Sequence, residues 1–247
     1  MTASTHTLQT VGGLTFKLEH SEGLEARARE IGDIVASGLT TLSNVLGFSP
    51  SVRVLVLSRA DWARYTSNSV VGMPHCLDGQ TIVVSADPPE FWEGARGWVF
   101  SPVDAAGMGR LESLYGTTNG EIDVRPFSDL AVLHELGHIF HRQVPFDFPH
   151  AWVRELFANM AQYVAVAVGM PERMPHLLAL PQAVHRPAKE LAHTTLEDID
   201  IPPAKLGLGN FIWYQWNLLF AARDIYEREG PGALRRMFDA SLKCCDR

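Results

Sequence analysis

Four long stretches with helical periodicity fill most of the sequence after residue 128, and they constrain the fold more than any other feature. The first runs to about residue 143, and the second runs from about 150 to 169. A third, NFIWYQWNLLFAARDIYERE, ends at Gly230, and a fourth follows it. Residues 171–208 contain six of the 15 prolines, which predicts short pieces there instead of one long helix.

The first half of the sequence combines strand-like runs with one long helix. Residues 14–18 alternate between apolar and polar side chains, and the apolar, β-branched runs at 52–58 and 80–86 predict two more strands. Ser21 is expected to cap a helix whose apolar side chains recur at helical spacing until Gly47. Residues 87–127 are rich in turn signals, and no long element is expected there.

Strands and one long helix followed by a helical half are typical of the α+β class. A length of 247 residues suits one large domain that buries a sizeable core. We therefore divide the chain into an N-terminal α/β part with a small sheet, residues 1–127, and a helical part, residues 128–247. Together the two parts are expected to form one continuous domain.

Charge and composition limit the classes of partner. The net charge of −7 and the lack of a basic run argue against nucleic acid, since phosphate binding needs a basic face. No apolar stretch reaches membrane-spanning length, and the N-terminus lacks the basic and apolar regions of a signal peptide. Three cysteines do not make a disulfide framework. The sequence therefore predicts a cytoplasmic protein with neither nucleic acid nor membrane as its partner.

The stretch VLHELGHIFHR, residues 132–142, places metal-binding side chains inside an apolar run. In a helix, His134 and His138 project from one face, because positions i and i+4 differ by only about 40° in direction. Both imidazoles can then bind one ion, while Glu135 lies close enough to act as a base toward water. Histidines on the solvent face of an amphipathic helix are the alternative, which fits poorly because the flanking residues are apolar. The pattern predicts a zinc site.

A catalytic zinc site needs a third protein ligand, and Glu155 is the candidate. It begins an E-x-x-A run in a helix that follows a short loop, and this helix is apolar. The alternative is a surface acid that pairs with Arg154. Asn159, one turn further on, is expected to hydrogen-bond a ligand imidazole. His141 and His150 are rival ligands, but we interpret His141 as a residue behind the ligands or at the core edge, and His150 as a residue at a helix start.

These residues resemble the gluzincin zinc metallopeptidases, the branch that includes thermolysin-like and aminopeptidase-like enzymes. HELGH is similar to their helix motif, and WVRELFA is similar to the W-x-x-E-x-F-A segment of the aminopeptidase branch. The resemblance covers residues 128–165. It implies a zincin-like fold, with His134, His138 and Glu155 as zinc ligands and Glu135 as the general base.

The resemblance implies two further features. An edge strand of the small sheet binds the substrate backbone in gluzincins, and GQTIVVSA, residues 79–86, is the candidate here. A tyrosine on a later helix stabilises the oxyanion in aminopeptidase-like members, and Tyr214 lies at a comparable distance downstream, although it also suits an apolar core. Tyr163 and His193 are the other candidates for this role. The G-x-M-E-N signature of aminopeptidases is absent, so no aminopeptidase activity is expected.

Three functions are compatible with these features. The first is a zinc-dependent hydrolase, a metallopeptidase or amidase, that cleaves an amide bond in a peptide or peptide-like small molecule. The second is a zinc-dependent hydrolase or lyase that modifies a non-peptide metabolite. The third is a non-catalytic, zincin-like binding module, against which the intact Glu135 argues because a scaffold needs no base.

Overall fold

A computed structural model describes residues 7–67, 71–87, 97, 99–101, 103–201 and 203–245. It confirms the α+β class: a small mixed sheet and one long helix precede a mainly helical remainder. In the part of the chain that is described, no helix is both long enough and apolar enough to cross a membrane.

The sheet has five strands, whose order in space is β1-β2-β3-β5-β4. Their bounds are Gln9–Val11 (β1), Lys17–His20 (β2), Arg53–Leu57 (β3), His75–Cys76 (β4) and Thr81–Ser85 (β5). The three central strands β2, β3 and β5 are parallel, and β1 and β4 are antiparallel to their neighbours. The strands expected at 52–58 and 80–86 are confirmed, and the one expected at 14–18 lies slightly later, as β2.

The prediction that residues 79–86 form the edge strand is wrong. Strand β5 pairs with β3 along its length and with β4 at Ile82 and Val83, so these two residues lie inside the sheet. The edge on this side is instead β4. A strand of two residues carries no alternation that a sequence pattern could reveal.

Strand β4 also contacts the helical half of the chain. Its Cys76 thiol donates to the backbone carbonyl of Glu135 at 3.3 Å. Burial and the charge of Glu135 raise the pKa of Cys76, so this thiol stays protonated.

Helix α1 spans Glu25–Leu46 and covers one face of the sheet. Its expected apolar face is buried, and Gly47 ends the helix with a φ of 77°, a left-handed conformation that favours glycine. Ser21 does not cap this helix as expected. Its hydroxyl accepts a hydrogen bond from the backbone N–H of Ser58 at 3.0 Å, which ties the end of β2 to the end of β3.

Eight further helices complete the described chain: Arg59–Tyr65 (α2), Ala105–Tyr115 (α3), Arg125–Arg142 (α4), Ala151–Gly169 (α5), Met174–Val184 (α6), Pro203–Leu206 (α7), Leu208–Glu229 (α8) and Gly232–Cys245 (α9). Short 3-10 turns lie at Pro171–Arg173, Ala188–Glu190 and Glu197–Asp200. The long helices expected after residue 128 are confirmed. Short pieces also fill most of 171–208, as expected.

Two sequence-based expectations about these helices are wrong. Helix α3 lies inside residues 87–127, where no long element was expected, and the Asp104 carboxylate caps it by accepting from the N–H of Gly107 at 2.7 Å. Helix α4 begins at Arg125 and not at residue 128. Asp129 therefore lies inside this helix, where it pairs with the guanidinium of Arg27 on α1.

Helices α4 and α5 pack very closely, and this contact positions the site described next. A Cβ atom added to Gly137 would lie 2.9 Å from the Cα atom of Ala158 and 2.9 Å from the Cβ atom of Ala161. Gly137 lies between the two histidines of the HELGH motif. Since only glycine permits so close an approach, the motif itself brings the second helix beside the first.

Candidate metal centre

His134 and His138 lie on the same face of helix α4, as the spacing predicts. Their Nε2 atoms are 3.1 Å apart, and both rings are largely shielded from solvent. Two imidazole nitrogens at this distance leave no room for a water between them. They do leave room for one ion that both nitrogens contact from the same side.

Glu155 of helix α5 completes a triangle of ligand atoms with these two histidines. Its Oε2 atom lies 3.3 Å from His134 Nε2 and 3.6 Å from His138 Nε2. A circle through three points with these separations has a radius of about 1.9 Å, so an ion at roughly 2.0–2.1 Å from each lies just outside their plane. The three atoms therefore fit three corners of a zinc tetrahedron, and the fourth corner remains for another ligand.

The carboxylate of Glu135 lies beside this triangle and is half-buried. One of its oxygens lies within 4.8 Å of a ring nitrogen of His134 and of His138. Apart from the Cys76 thiol, whose pKa this carboxylate raises, no described side chain bonds or pairs with it. Glu135 is therefore free to exchange a proton with a molecule bound at the centre.

The pKa values of the ligand groups reflect their mutual attraction in the metal-free protein. Burial opposes protonation of His134, but the hydrogen bond to Glu155 and its negative charge outweigh burial and raise the pKa of His134. Burial also opposes ionisation of Glu155, yet its hydrogen bonds to His134 and His138 hold the pKa of Glu155 well below its usual range. The negative charge that favours the protonated form of His134 would equally favour a bound cation.

His141 lies directly behind His138, on the side away from the triangle. Its Nε2 atom is 3.1 Å from His138 Nδ1, and both rings are buried. Burial, and then the charge of His138, lower the pKa of His141 to about 3, so this ring stays neutral. The interpretation of His141 as a residue behind the ligands agrees with this placement. His150, the other rival, is exposed and immediately precedes α5.

Asn159 does not contact a ligand imidazole, contrary to expectation. Its Nδ2 atom donates to the backbone carbonyl of Glu155 at 2.9 Å and to Gln215 Oε1 at 3.1 Å. Gln215, on helix α8, donates in turn from Nε2 to Glu155 Oε2 at 3.0 Å. Two carboxamides therefore hold the third ligand, and sequence analysis missed Gln215 entirely.

A cavity of about 720 Å³ opens onto the triangle and the Glu135 carboxylate. Helix α8 supplies an apolar wall, and the segment around Ile199 and Ile201 also lines the cavity. Residues 72–75, next to the edge strand β4, form another part of the wall. The volume is within the range of small-molecule sites, roughly 300–1,000 Å³.

The structure does not bring Tyr214 to this cavity. Its side chain is buried, and its hydroxyl donates to the backbone carbonyl of Thr195 at 2.6 Å. Burial, and then the charges of Asp198 and Glu197, raise the pKa of Tyr214 to about 12, so the hydroxyl keeps its proton. Its neighbour Gln215 lines the cavity in its place.

The other two oxyanion candidates also lie away from the centre. The ring of Tyr163 packs against that of Tyr226, with 5.2 Å between ring centroids. His193 Nδ1 lies 3.8 Å from the carboxylate of Asp198. None of the sequence-predicted donors therefore faces the triangle of His134, His138 and Glu155.

In comparisons with known proteins, no family model, no curated protein and no solved structure matches this chain. Its function must therefore be inferred from the geometry and chemistry of the centre.

Proposed function

We propose that this chain is a zinc-dependent hydrolase with a zincin-like fold, which cleaves an amide bond in a peptide or peptide-like molecule. The observation that carries the proposal is the triangle of His134 Nε2, His138 Nε2 and Glu155 Oε2, with the Glu135 carboxylate beside it. The resemblance of HELGH and WVRELFA to gluzincin motifs supports the same assignment.

His134, His138 and Glu155 would hold the ion. Bound zinc supplies a Lewis acid and a water that is acidic near neutral pH. The protein contributes the movement of the proton: the Glu135 carboxylate accepts it and delivers it to the leaving nitrogen, so that the amine departs neutral. The apolar wall of the cavity excludes bulk water, which strengthens each of these polar interactions.

Hydrolysis or elimination on a small non-peptide metabolite is the second candidate. A cavity of about 720 Å³ with an apolar helical wall favours it, because a small molecule would be largely enclosed there. The same four residues would act in the same roles. A peptide library and a metabolite panel, tested with the same preparation, distinguish the two substrate classes.

Metal analysis of the purified protein tests the centre itself. We expect about one zinc per chain in the wild type and in His150→Ala, a control that removes an exposed histidine near the site. His134→Ala should lose the zinc. Absence of zinc in the wild type, or its retention in His134→Ala, would overturn the ligand assignment.

Glu135→Gln tests catalysis separately from metal binding. The variant should keep the zinc, because Glu135 is not part of the ligand triangle, and it should lose at least about 10²-fold in turnover. Unchanged turnover on the substrate found in the screen would favour a different base. A protein that holds zinc but turns over neither peptides nor metabolites would favour the non-catalytic binding module.

A further inference from the structure

Most polar side chains that line the cavity already have protein partners for their donor groups. His75 is bonded at both nitrogens, to the carbonyl of Met73 at 3.0 Å and to the hydroxyl of Thr66 at 2.7 Å. Gln162 donates from Nε2 to the carbonyl of Leu130 at 2.9 Å. The Asn159 amide donates to the backbone carbonyl of Glu155 and to Gln215 Oε1, and the Gln215 amide donates to Glu155 Oε2.

Arg154 differs from these residues. It lies in the first turn of helix α5, lines the cavity, and has 38% of its side chain exposed. Its Nε atom lies 3.3 Å from Glu155 Oε1, whereas the other carboxylate oxygen, Oε2, contacts the histidines. Within the described residues, no hydrogen bond occupies its terminal nitrogens Nη1 and Nη2.

The position of this guanidinium is fixed by the same carboxylate that completes the triangle. Glu155 uses Oε2 toward the two histidines and Oε1 toward Arg154, so the cation is held within a few ångströms of the centre. A guanidinium is planar and always charged, and one anchored N–H fixes the direction of the others. Donors held in place before the reaction are those that stabilise developing charge best.

We propose that Arg154 is a catalytic residue, whose terminal N–H groups donate hydrogen bonds to the substrate oxygen on which negative charge develops. This inference rests on the proposed function and assigns the oxyanion-stabilising role that Tyr214 is not placed to fill. Arg154 contributes only hydrogen bonds and charge. The substrate class that suits such a site has a carbonyl, or another group that becomes a tetrahedral anion.

Binding of two small ligands to the zinc-loaded protein tests this role without a known substrate. Phenylphosphonate is a tetrahedral anion that resembles the charged intermediate, whereas imidazole is a neutral metal ligand that needs no cation nearby. We expect Arg154→Met to weaken phenylphosphonate binding at least about tenfold, because charge-assisted hydrogen bonds are lost. Arg154→Lys should lose less, and imidazole affinity should stay within about twofold in both variants.

Arg142→Met is the matched control, since Arg142 is an exposed arginine at the end of helix α4 that does not line the cavity. It should bind both ligands as the wild type does. Isothermal titration calorimetry gives the affinities, and metal analysis gives the zinc content of each variant. Once a substrate is known, Arg154→Met should lower kcat by about 10²–10³-fold and change KM little.

Three results would overturn the assignment. Unchanged phenylphosphonate affinity in Arg154→Met would show that the guanidinium does not reach the anion. Equal loss of phenylphosphonate and imidazole, together with lost zinc, would show that Arg154 only holds Glu155 in place. A wild-type protein that takes up no zinc would overturn the proposed function itself, and this inference with it.

Discussion

The ring of His141 lies directly behind that of His138, with 3.1 Å between His141 Nε2 and His138 Nδ1. A histidine that binds an ion through Nε2 must carry its proton on Nδ1, and it is usually held there by a hydrogen-bond acceptor. His141 can be that acceptor, because its lowered pKa, about 3, keeps the ring neutral. His141 therefore favours the tautomer of His138 that carries its proton on Nδ1.

Replacement of His141 by phenylalanine should weaken zinc binding by about 10–100-fold, the usual effect of losing a partner behind a ligand. Phenylalanine keeps the aromatic contacts with Phe148 and Phe157 but cannot accept the hydrogen bond. Competition with a chromogenic chelator measures the affinity. His150→Phe serves as control and should match the wild type, and equal affinities in all three proteins would contradict this role for His141.

Gln215→Leu should also weaken zinc binding, by about tenfold, because Glu155 Oε2 loses the amide that directs it toward the histidines. Asn159 loses one acceptor at the same time, which should lower the free energy of unfolding by about 1 kcal/mol. Asn217→Leu is a control on the same helix, since the Asn217 amide bonds the carbonyl of Trp213 and no other group among the described residues. Unaltered zinc affinity in Gln215→Leu would show that Glu155 needs no such support.

Tyr214→Phe distinguishes the two roles that the sequence leaves open for this residue, stabilisation of the oxyanion and packing in an apolar core. The structure uses its hydroxyl to hold the segment at Thr195, so we expect a loss of about 1 kcal/mol in stability and less than a twofold change in kcat. Chemical denaturation and steady-state kinetics give the two values. A fall of about 100-fold in kcat at unchanged stability would restore the oxyanion role to Tyr214.

The parts of this centre that the sequence predicts are those set by local geometry. The shared direction of His134 and His138 follows from helical periodicity alone, and the long helices follow from the same pattern. The choice between Tyr214 and Gln215 depends on which face of α8 meets α5. Adjacent helical residues differ by about 100° in direction, so this choice depends on tertiary packing.

The edge strand of the sheet could not be predicted from the sequence either. Strand β4 has two residues, and it is defined by its pairing with β5 and by the bond from Cys76 to helix α4. The partner of Asp129 is likewise a residue 102 positions away, Arg27. Long-range contacts of this kind leave no periodic signal in either segment.

Gly137→Ala tests whether the close approach of helices α4 and α5 is required by the centre. The added methyl group would lie 2.9 Å from the Cα atom of Ala158, and backbone cannot retreat as a flexible side chain can. We expect a loss of about 1–3 kcal/mol in the free energy of unfolding, together with weaker zinc binding. Both are measurable by urea denaturation and chelator competition.

Gly109→Ala is the matched control for this change. Gly109 lies inside helix α3 with no atom within 4 Å of an added Cβ, so alanine there should stabilise the helix by ~0.5–1 kcal/mol. If Gly137→Ala were as stable as Gly109→Ala, with normal zinc affinity, the close contact would not be what positions Glu155.

The stability of the metal-free protein should depend on pH through His134 and Glu155. The raised pKa of His134 contributes stability that is complete below its ordinary value of 6.5 and is lost as pH rises through the raised value. The lowered pKa of Glu155 contributes stability that is present above its ordinary value of 4.5 and is lost as pH falls through the lowered value. Their joint contribution is therefore greatest between these two ordinary values.

Denaturation with urea in the presence of a chelator, at a series of pH values, measures this profile. Glu155→Gln should remove most of the loss of stability above pH 6.5, because the two largest effects that raise the pKa of His134 are lost and burial is then opposed only by the charge of Glu135. Zinc must displace the His134 proton, so uptake near pH 6 should release about one proton per ion. Identical pH profiles for Glu155→Gln and the wild type would contradict the coupling between His134 and Glu155 that defines the centre.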